Sequence, residues 1–323
     1  MYQPIDANSL VANKIITEEE KSMVEEYIPF DFTTDPGTHS EGGLSTSRVA
    51  SLDIISTNAE QGWKRPIYFA MTVPDRYYLN LAPYMQSTGL AYEVLPILHP
   101  QSHTDDYGVN TDKAFENVTT KFRWGGFENA TPDHTIYADE TVSRMVSTHR
   151  TTLCDLASAL IVEGMEVKEA LKETKLPADS AKEYTDFVQD RFDKAATVLS
   201  LMNEKLPTFN VPYSVQSGYT VGQTYLLLGE ASEKPEYTKT GLDILHSEIL
   251  RYAEYFRFYQ SLDAQLYSRL SNTDRYIDRR YLLELIHLYS SYAPEEDVKN
   301  LNGEMTGMGV NIGRLNQFLE SYN

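Results

Sequence analysis

Apolar side chains recur at spacings of three and four residues along one long segment, from residue 242 to residue 270. Only Asp263 interrupts the pattern. This spacing puts the apolar side chains on one face of a helix, and four heptads of such a face predict a long helix with a long partner helix. The residues of this seam are Leu242, Leu245, Ile249, Tyr252, Phe256, Tyr259, Leu266 and Leu270.

Helical patterns fill the rest of the chain from about residue 138. The segment DETVSRMVSTHRTTLCDLASALIVEG predicts a helix that ends at Gly164, and SAKEYTDFVQDRFDKAATVLSLMNEKL predicts a helix that ends before Pro207. An internal echo, LA…L…G at 156–164 and VG…Y…G at 221–229, suggests stacked helix pairs. We therefore expect a tetratricopeptide-like helical array, with an ordinary helical bundle as the alternative.

The first sixty residues predict two helices separated by a loop. A capping box at residues 17–20 (TEEE) predicts a short helix through Tyr27, and the turn-rich residues 33–43 predict the loop. An amphipathic helix follows, and Gly62 ends it. The apolar stripe of that helix consists of Val49, Leu52, Ile55 and Ala59.

Two apolar runs predict strands in the next segment. RPIYFAMTV (65–73) is too continuous for a one-sided helix, so we predict a buried strand, and GLAYEVLPIL (89–98) predicts a second one. A short helix is expected between them, which favours parallel pairing of the two strands. TDKAFENVTTKFRW (111–124) predicts a further helix.

These elements together predict an α+β to mostly α fold, in which a small α/β module precedes the tetratricopeptide-like helical array. The expected division is an irregular lead-in at 1–45, the α/β module at 46–130 and a helical repeat-like domain at 131–323. A chain of this length suggests two domains rather than one or four.

Charge and composition exclude several classes of protein. The 47 acidic and 28 basic residues give a net charge of −19, which would repel a phosphate backbone, so no nucleic-acid partner is expected. No apolar run is long enough to span a membrane, and the first thirty residues lack the pattern of a signal peptide. The single cysteine, Cys154, lies in an apolar helical pattern that favours a buried structural thiol over a nucleophile.

Candidate metal ligands are concentrated in one segment, at His99, His103, Asp105 and Asp106. Pro100 prevents the continuous helix that would align the two histidines, so we interpret the segment as a solvated loop rather than a metal site. His134 follows Asp133 in a similar loop and receives the same interpretation. We predict no metal and no cofactor.

The minimal motifs of dinucleotide-binding proteins, P-loop proteins, serine hydrolases and zincins are absent from the sequence, and we assign no catalytic residue. Two short stretches instead pair an aromatic ring with a cation. They supply the candidate binding residues Trp63, Arg65, Arg123 and Trp124, for which the alternative is a salt-bridged packing corner. The 23 tyrosines favour wide helix–helix seams over a ligand-binding surface.

Four segments carry a family resemblance: DIISTNAEQGWKRPIYFAMTV, LNLAPYMQSTGLAYEVLPI, NVTTKFRWGG and DETVSRMVSTHRTTLCDLASALIVEG. In this order they resemble the soluble C-terminal region of a family of bacterial multi-pass membrane proteins. That region is a domain of unknown function, and the family is similar to lumenal protein O-mannosyltransferases of eukaryotes. The resemblance covers about 50–165, and the lead-in before residue 45 departs from the family pattern.

The resemblance implies that catalysis, from a lipid-linked sugar donor, belongs to a membrane-embedded half that this chain lacks. It implies a non-catalytic accessory domain at the periplasmic face of the bacterial inner membrane, which binds the acceptor protein or glycan or mediates assembly. The expected partners are an acceptor protein or glycan and the membrane domain of the same polypeptide. Two alternatives stay open: a stand-alone carbohydrate-active enzyme that uses Asp105, Asp106 and Asp133, and a peptide-binding helical scaffold.

Overall fold

The computed structural model divides the chain into two compact units, residues 1–122 and residues 123–323. Each unit is considered by itself below. The predicted boundaries at 45/46 and 130/131 stay a prediction. The structure describes residues 2–29, 45–98, 107–173, 177–214, 216–269, 272–310 and 313.

The described residues of the first unit form two small sheets and three α-helices. β1 and β2 form an antiparallel pair, and the larger sheet has the strand order β3-β5-β4-β6. In that sheet β5 pairs antiparallel with β3 and β4, whereas β4 and β6 are parallel. The elements are β1 (Tyr2–Pro4), α1 (Ala7–Ala12), β2 (Tyr27–Pro29), α2 (Thr46–Glu60), β3 (Ile67–Ala70), β4 (Met85–Ser87), β5 (Ala91–Val94), β6 (Gly108–Val109) and α3 (Thr111–Glu116).

The predicted parallel pairing of the two apolar runs is wrong. Strand β3 pairs antiparallel with β5, so that Ile67 lies opposite Val94. The helix expected between them does not form: the connection contains two short 3₁₀ turns and the strand β4, and Leu79 and Asn80 have left-handed φ values of 57° and 62°. Two successive left-handed residues are incompatible with a crossover helix.

Strand β3 is also more exposed than predicted, because it lies at an edge of the described sheet. Its residues alternate between half-buried and exposed, the pattern of a strand with one solvated face. The core of the unit is built instead around Leu10, Ile55, Trp63 and Ile97.

The two predicted N-terminal helices have different outcomes. Thr17 and Glu20 do form the capping box: the backbone N–H of Thr17 donates to Glu20 Oε2 at 2.7 Å, and the Glu20 N–H donates to Thr17 Oγ1 at 3.3 Å. The helix that follows is only a 3₁₀ turn, Glu20–Met23, and Tyr27 begins β2. Helix α2 forms and is followed by Gly62 at φ 75°, as predicted. The predicted loop at 33–43 lies outside the described residues.

The second unit is an array of helices in which neighbours along the chain pack as antiparallel pairs. Helix α4 pairs with α5 and α6 pairs with α7, while α6 also packs on α4 and α7 on α9. With the small mixed sheet before it, this array confirms the predicted α+β to mostly α fold class. The helices are α4 (Glu140–Glu173), α5 (Ala178–Lys205), α6 (Ser217–Ser232), α7 (Pro235–Ser261), α8 (Ala264–Arg269), α9 (Asn272–Tyr292) and α10 (Glu295–Gly307).

Glycines in the array permit close helix packing rather than ending helices. Helix α4 continues through Gly164 to Glu173, so the predicted end at Gly164 is wrong. A Cβ at Gly164 would lie 2.6 Å from the Phe192 ring on α5, and one at Gly222 would lie 2.7 Å from Leu245 on α7. These positions need a residue without a side chain. Helix α5 ends at Lys205, before Pro207, as predicted.

The long apolar seam is confirmed in part. Leu245, Ile249, Tyr252 and Phe256 are buried on α7, but the helix ends at Ser261 and Leu266 is exposed. The seam has two partner helices, α6 and α9, rather than one long partner. Leu270 lies outside the described residues. Among the described helices, none combines the length and the apolar character that crossing a bilayer requires.

Candidate functional site

The four predicted binding residues divide between the two units. Trp63 belongs to the core of the first unit: it is 1% exposed, and its φ is 54°. Its indole Nε1 has no hydrogen-bond partner within the described structure. Arg65 is exposed, and its backbone N–H donates to Asn58 Oδ1 at 3.3 Å. The ring of Trp63 is therefore enclosed by packing, whereas the side chain of Arg65 is accessible.

Arg123 and Trp124 come together in the second unit, where they line a cleft of about 150 Å³ beside the N-terminal part of α4. The Trp124 ring centroid lies 6.3 Å from that of His149. Met145 and Val142 add exposed apolar surface to the same cleft. The cleft is small, and its one described cation, Arg123, is exposed.

The other candidate residues do not form a described site. His99, His103, Asp105 and Asp106 lie outside the described residues. Asp133 and His134 are exposed in a tight turn, in which the N–H groups of Thr131 and His134 each donate to the other residue's carbonyl oxygen. Within the described ranges, no three His, Cys, Asp or Glu side chains are grouped to hold a metal ion.

Cys154 is buried in α4, and burial raises the pKa of its thiol to about 12. The thiolate, which is the nucleophilic form, is therefore scarce near neutral pH. Cys154 therefore lies in the buried environment that the sequence predicted for a structural thiol.

A polar cluster lies on one face of the four-stranded sheet in the first unit. Lys113 Nζ donates to both oxygens of Glu93, at 2.9 and 2.6 Å, and to the hydroxyl of Tyr68 at 3.1 Å. The Tyr68 hydroxyl donates to Glu93 Oε1 at 2.9 Å. Because Glu93 is buried and both of its oxygens are engaged, this cluster ties α3 to the sheet.

A larger groove of about 720 Å³ lies in the second unit, between α7 and the connection from α5 to α6. One wall comes from the end of α5 and the connection: Asn203, Pro207, Thr208, Phe209, Pro212 and Tyr213. The opposite wall is one face of α7: Thr240, Asp243, Ile244, Ser247, Glu248 and Arg251. We call residues 206–213 the loop wall and the whole site the groove.

A buried arginine from α4 holds the loop wall. Arg150 is 1% exposed and donates to three backbone carbonyls, those of Leu206 (2.9 Å), Val211 (2.6 Å) and Pro212 (3.1 Å). Burial lowers the pKa of its guanidinium. The group nevertheless stays charged, because an arginine pKa begins far above neutral pH. Three charge-assisted hydrogen bonds fix the wall, and Arg150 itself is not a lining residue of the groove.

An ion pair lies at the base of the groove. Arg251 bonds Glu248 through two nitrogens, Nη2 to Oε2 and Nε to Oε1, and its Nη2 also donates to the carbonyl of Tyr213 at 2.9 Å. Burial raises the pKa of Glu248, although Arg251 opposes the shift. Gly218 on α6 makes room for this pair, since a Cβ there would lie 2.7 Å from Glu248 Cγ.

The accessible lining of the groove combines apolar and polar groups. Phe209 is 46% exposed, and Pro207, Pro212 and Ile244 add apolar surface. Asp243 is the one lining carboxylate in the described groove that is exposed, and its Oδ2 is 2.5 Å from Lys239 Nζ. This arrangement can bind a ligand along a preformed wall, but both carboxylates already have cationic partners and neither is poised as an acid or base.

The sequence patterns did not identify the groove. Its lining residues come from the end of α5, the α5–α6 connection and α7, and the arginine that holds the loop wall comes from α4, so no local motif joins them. Two signals were present: Arg150 interrupts an apolar helical face, and Glu248 and Arg251 stand at the i,i+3 spacing of a helical ion pair. A cation in an apolar stripe needs partners, which could have indicated a clamped loop.

A family model matches the N-terminal part of the chain. Residues 1–113 match the family model of TMEM260-associated domain 2, a domain of unknown function. The match lies within the first compact unit and includes the lead-in. No curated protein and no solved structure matches the chain.

Proposed function

We propose that the chain is a non-catalytic, extracytoplasmic accessory domain of a glycosyltransferase-like membrane protein, and that its second unit binds the acceptor protein or the glycan in the groove. The observation that carries the proposal is the preformed wall: four carbonyl acceptors of the loop, at 206 and 211–213, are held by Arg150 and Arg251. A wall that is ordered before a ligand arrives reduces the entropy lost on binding.

Two sequence similarities bear on the proposal. The four sequence segments resemble the soluble region of a glycosyltransferase-like membrane family, and residues 1–113 match TMEM260-associated domain 2. The periplasmic face of the inner membrane, and the membrane domain of the same polypeptide as a partner, follow from the resemblance. The groove lies in the unit that the family match does not cover.

The chemistry of the groove supports binding rather than turnover. Glu248 is neutralised by Arg251, and Asp243 is paired with Lys239. General acid–base catalysis needs a carboxyl group within reach of substrate with its pKa tuned to the reaction. In this groove both carboxylates form ion pairs instead, Glu248 with Arg251 and Asp243 with Lys239.

A turnover assay tests the non-catalytic assignment. The 323-residue chain is incubated with a polyprenyl-phosphate-linked mannose donor and a polypeptide acceptor. The amount of sugar on the acceptor should not exceed the amount found in the same mixture without the chain. Transfer that depends on the chain would overturn the assignment. A control reaction with a known transferase and the same donor establishes that the donor is active.

A binding assay tests the groove. Fluorescence anisotropy with a labelled acceptor polypeptide, and separately with labelled manno-oligosaccharides, should detect at least one ligand whose affinity falls about tenfold or more in Phe209→Ala. The matched control is Tyr184→Ala, which removes an equally exposed ring (47%) from α5 outside the groove. Equal affinities in the two variants would place binding elsewhere.

A further inference from the structure

Three of the polar side chains that line the groove already donate a hydrogen bond within the protein. Asn203 Nδ2 donates to the hydroxyl of Tyr225 at 2.7 Å. Thr240 Oγ1 donates to the carbonyl of Glu236 at 2.9 Å, and Ser247 Oγ donates to that of Asp243 at 2.9 Å. A sugar ring presents a hydroxyl on most of its carbons, and each one left without a partner on burial is unfavourable. The lining therefore fits a ligand with apolar side chains better than an oligosaccharide.

The aromatic groups of the groove point to the same class of ligand. One face of the Tyr213 ring is covered by the guanidinium of Arg150, whose central carbon is 4.7 Å from the ring centroid. Phe209 is accessible, and Pro207 and Ile244 are close enough to line the same space. This group forms a pocket for an apolar side chain rather than a broad stacking platform for a pyranose ring.

The charge of the groove favours a cationic ligand. Glu248 and Arg251 cancel each other at the base, which leaves Asp243 as the accessible carboxylate of the lining. Its partner Lys239 is not a lining residue, and both side chains of that pair are largely exposed. An exposed ion pair contributes little, so an incoming lysine or arginine can replace Lys239. The net charge of −19 on the whole chain adds a long-range attraction for cations.

The length of the groove suits an extended segment of polypeptide. Helix α7 rises about 1.5 Å per residue, so the span from Thr240 to Arg251 is about 16 Å, the reach of about five extended residues. The same face of α7 continues to the exposed side chains of Tyr255 and Phe258. Arg251 lies 5.9 Å from the Tyr255 ring centroid, which joins this aromatic surface to the groove. When this aromatic surface is included, the span along α7 from Thr240 to Phe258 is about 27 Å, the reach of about eight extended residues.

We infer that the groove binds an extended polypeptide with an apolar side chain against Phe209 and a lysine or arginine at Asp243. The inference rests on the proposed function and narrows it, because it selects the acceptor polypeptide over the glycan. The apolar side chain contacts Phe209, Pro207 and Ile244, and the cation bonds the carboxylate of Asp243. The backbone of the ligand lies along α7 toward Tyr255.

A combinatorial library of acetylated octapeptide amides, applied to the immobilised chain, tests this inference. The retained pool should be enriched in peptides that combine a basic residue with a large apolar residue. Labelled peptides from that pool should bind Phe209→Ala at least about tenfold more weakly than the unmodified chain. They should bind Asp243→Asn about two- to fivefold more weakly, because the ion pair lost there is exposed, and raising the salt concentration should weaken binding to the unmodified chain.

Matched controls separate the groove from the rest of the surface. Asp190→Asn removes the acidic partner of another i,i+4 ion pair, with Lys194 on α5, and Tyr184→Ala removes an exposed ring outside the groove. Both should bind the peptides as the unmodified chain does. Thermal unfolding followed by circular dichroism checks that the groove variants remain folded.

Each alternative outcome has a distinct meaning. If no peptide is retained but manno-oligosaccharides bind in a Phe209-dependent manner, the polypeptide inference is overturned and the proposed function stands. If the retained peptides are acidic, or bind Asp243→Asn unchanged, the assigned role of Asp243 is overturned. If neither peptides nor oligosaccharides bind in a groove-dependent manner, the proposed function itself is overturned.

Discussion

The guanidinium of Arg150 lies over the ring of Tyr213, with 4.7 Å between its central carbon and the ring centroid, while its nitrogens bond three carbonyls of the loop wall. One buried side chain on α4 thus positions both the backbone and the aromatic ring of a segment about sixty residues away along the chain. Arg150 therefore contacts both the backbone and the ring of the segment that forms one wall of the groove.

Replacement of Arg150 should destabilise the second unit. Arg150→Met retains much of the aliphatic volume but leaves three carbonyls without their donor, so the free energy of unfolding should fall by about 3 kcal/mol. Urea denaturation, followed by the fluorescence of Trp124 in a Trp63→Phe background, measures unfolding of this unit. Arg144→Met, which removes only an exposed ion pair with Glu140, should change it by less than about 0.5 kcal/mol. Equal effects of the two changes would show that Arg150 is not a clamp.

Substitution of two helical glycines should have opposite effects, because one lies at the close approach of α6 and α7 and the other meets no neighbouring atom. In Gly229→Ala the new Cβ would lie 2.7 Å from the backbone nitrogen of Thr238, which cannot swing away, so we expect a loss of about 1–3 kcal/mol. Gly303→Ala, on α10, meets no atom within 4 Å and should stabilise the helix by about 0.5–1 kcal/mol. Thermal unfolding of both variants shows whether each change raises or lowers stability. A Gly229→Ala variant that is more stable than the unmodified chain would contradict the packing of α6 against α7.

The stability of the first unit should depend on the pair formed by Lys113 and Glu93. Lys113→Met leaves the buried Glu93 carboxylate without its cation and should lower the free energy of unfolding by about 2–3 kcal/mol. Lys121→Met removes an exposed pair with Glu116 and should have little effect. The fluorescence of Trp63, in a Trp124→Phe background, reports unfolding of this unit. Adding Glu93→Gln to Lys113→Met should recover part of the loss, and no recovery would argue against an unpaired charge as its cause.

Asp155 on α4 predicts a pH dependence of stability in the second unit. Burial raises its pKa from 3.8 to about 6, so the folded state holds this proton more tightly than the unfolded state does. Ionisation therefore opposes folding as the pH rises from about 4 to about 6. Asp155→Asn should raise the free energy of unfolding by about 1–3 kcal/mol near pH 7.5 and by much less near pH 4. Denaturation at both pH values measures this difference, and an equal gain at both would rule out ionisation as the cause.

Periodicity in the sequence predicted the helical array well, because an apolar stripe on a helix requires packing against another helix. Leu245, Ile249 and Tyr252 are buried where the seam placed them. The same reasoning failed at Gly164, because a glycine that ends a helix and a glycine that admits a neighbouring ring look alike in sequence.

The predicted strands show a different limit. The apolar runs at 65–73 and 89–98 do contain β3 and β5, but their pairing depends on what lies between them. Leu79 and Asn80, in left-handed conformations, turn the chain where a helix was expected, and no local propensity of leucine indicates such a φ. Direction of pairing is a tertiary property that one short segment does not determine.

The groove was beyond prediction for a related reason. Arg150, Phe209 and Asp243 belong to three separate elements, and only the stacking of the helices brings them to one place. The aromatic–cation pairs singled out in the sequence, by contrast, are local features. The structure places Trp63 in a core and Trp124 at a small cleft, so neighbouring residue types alone did not define a common site.

The central claim is that the groove between the loop wall and α7 is the ligand-binding surface of the second unit. Hydrogen–deuterium exchange of the chain, with and without the retained octapeptide pool, tests it most directly. The account predicts slower exchange at residues 206–214 and 240–258 on addition of the peptides, and no such change in Phe209→Ala. Slower exchange confined to other segments, or the same protection in Phe209→Ala, would contradict it.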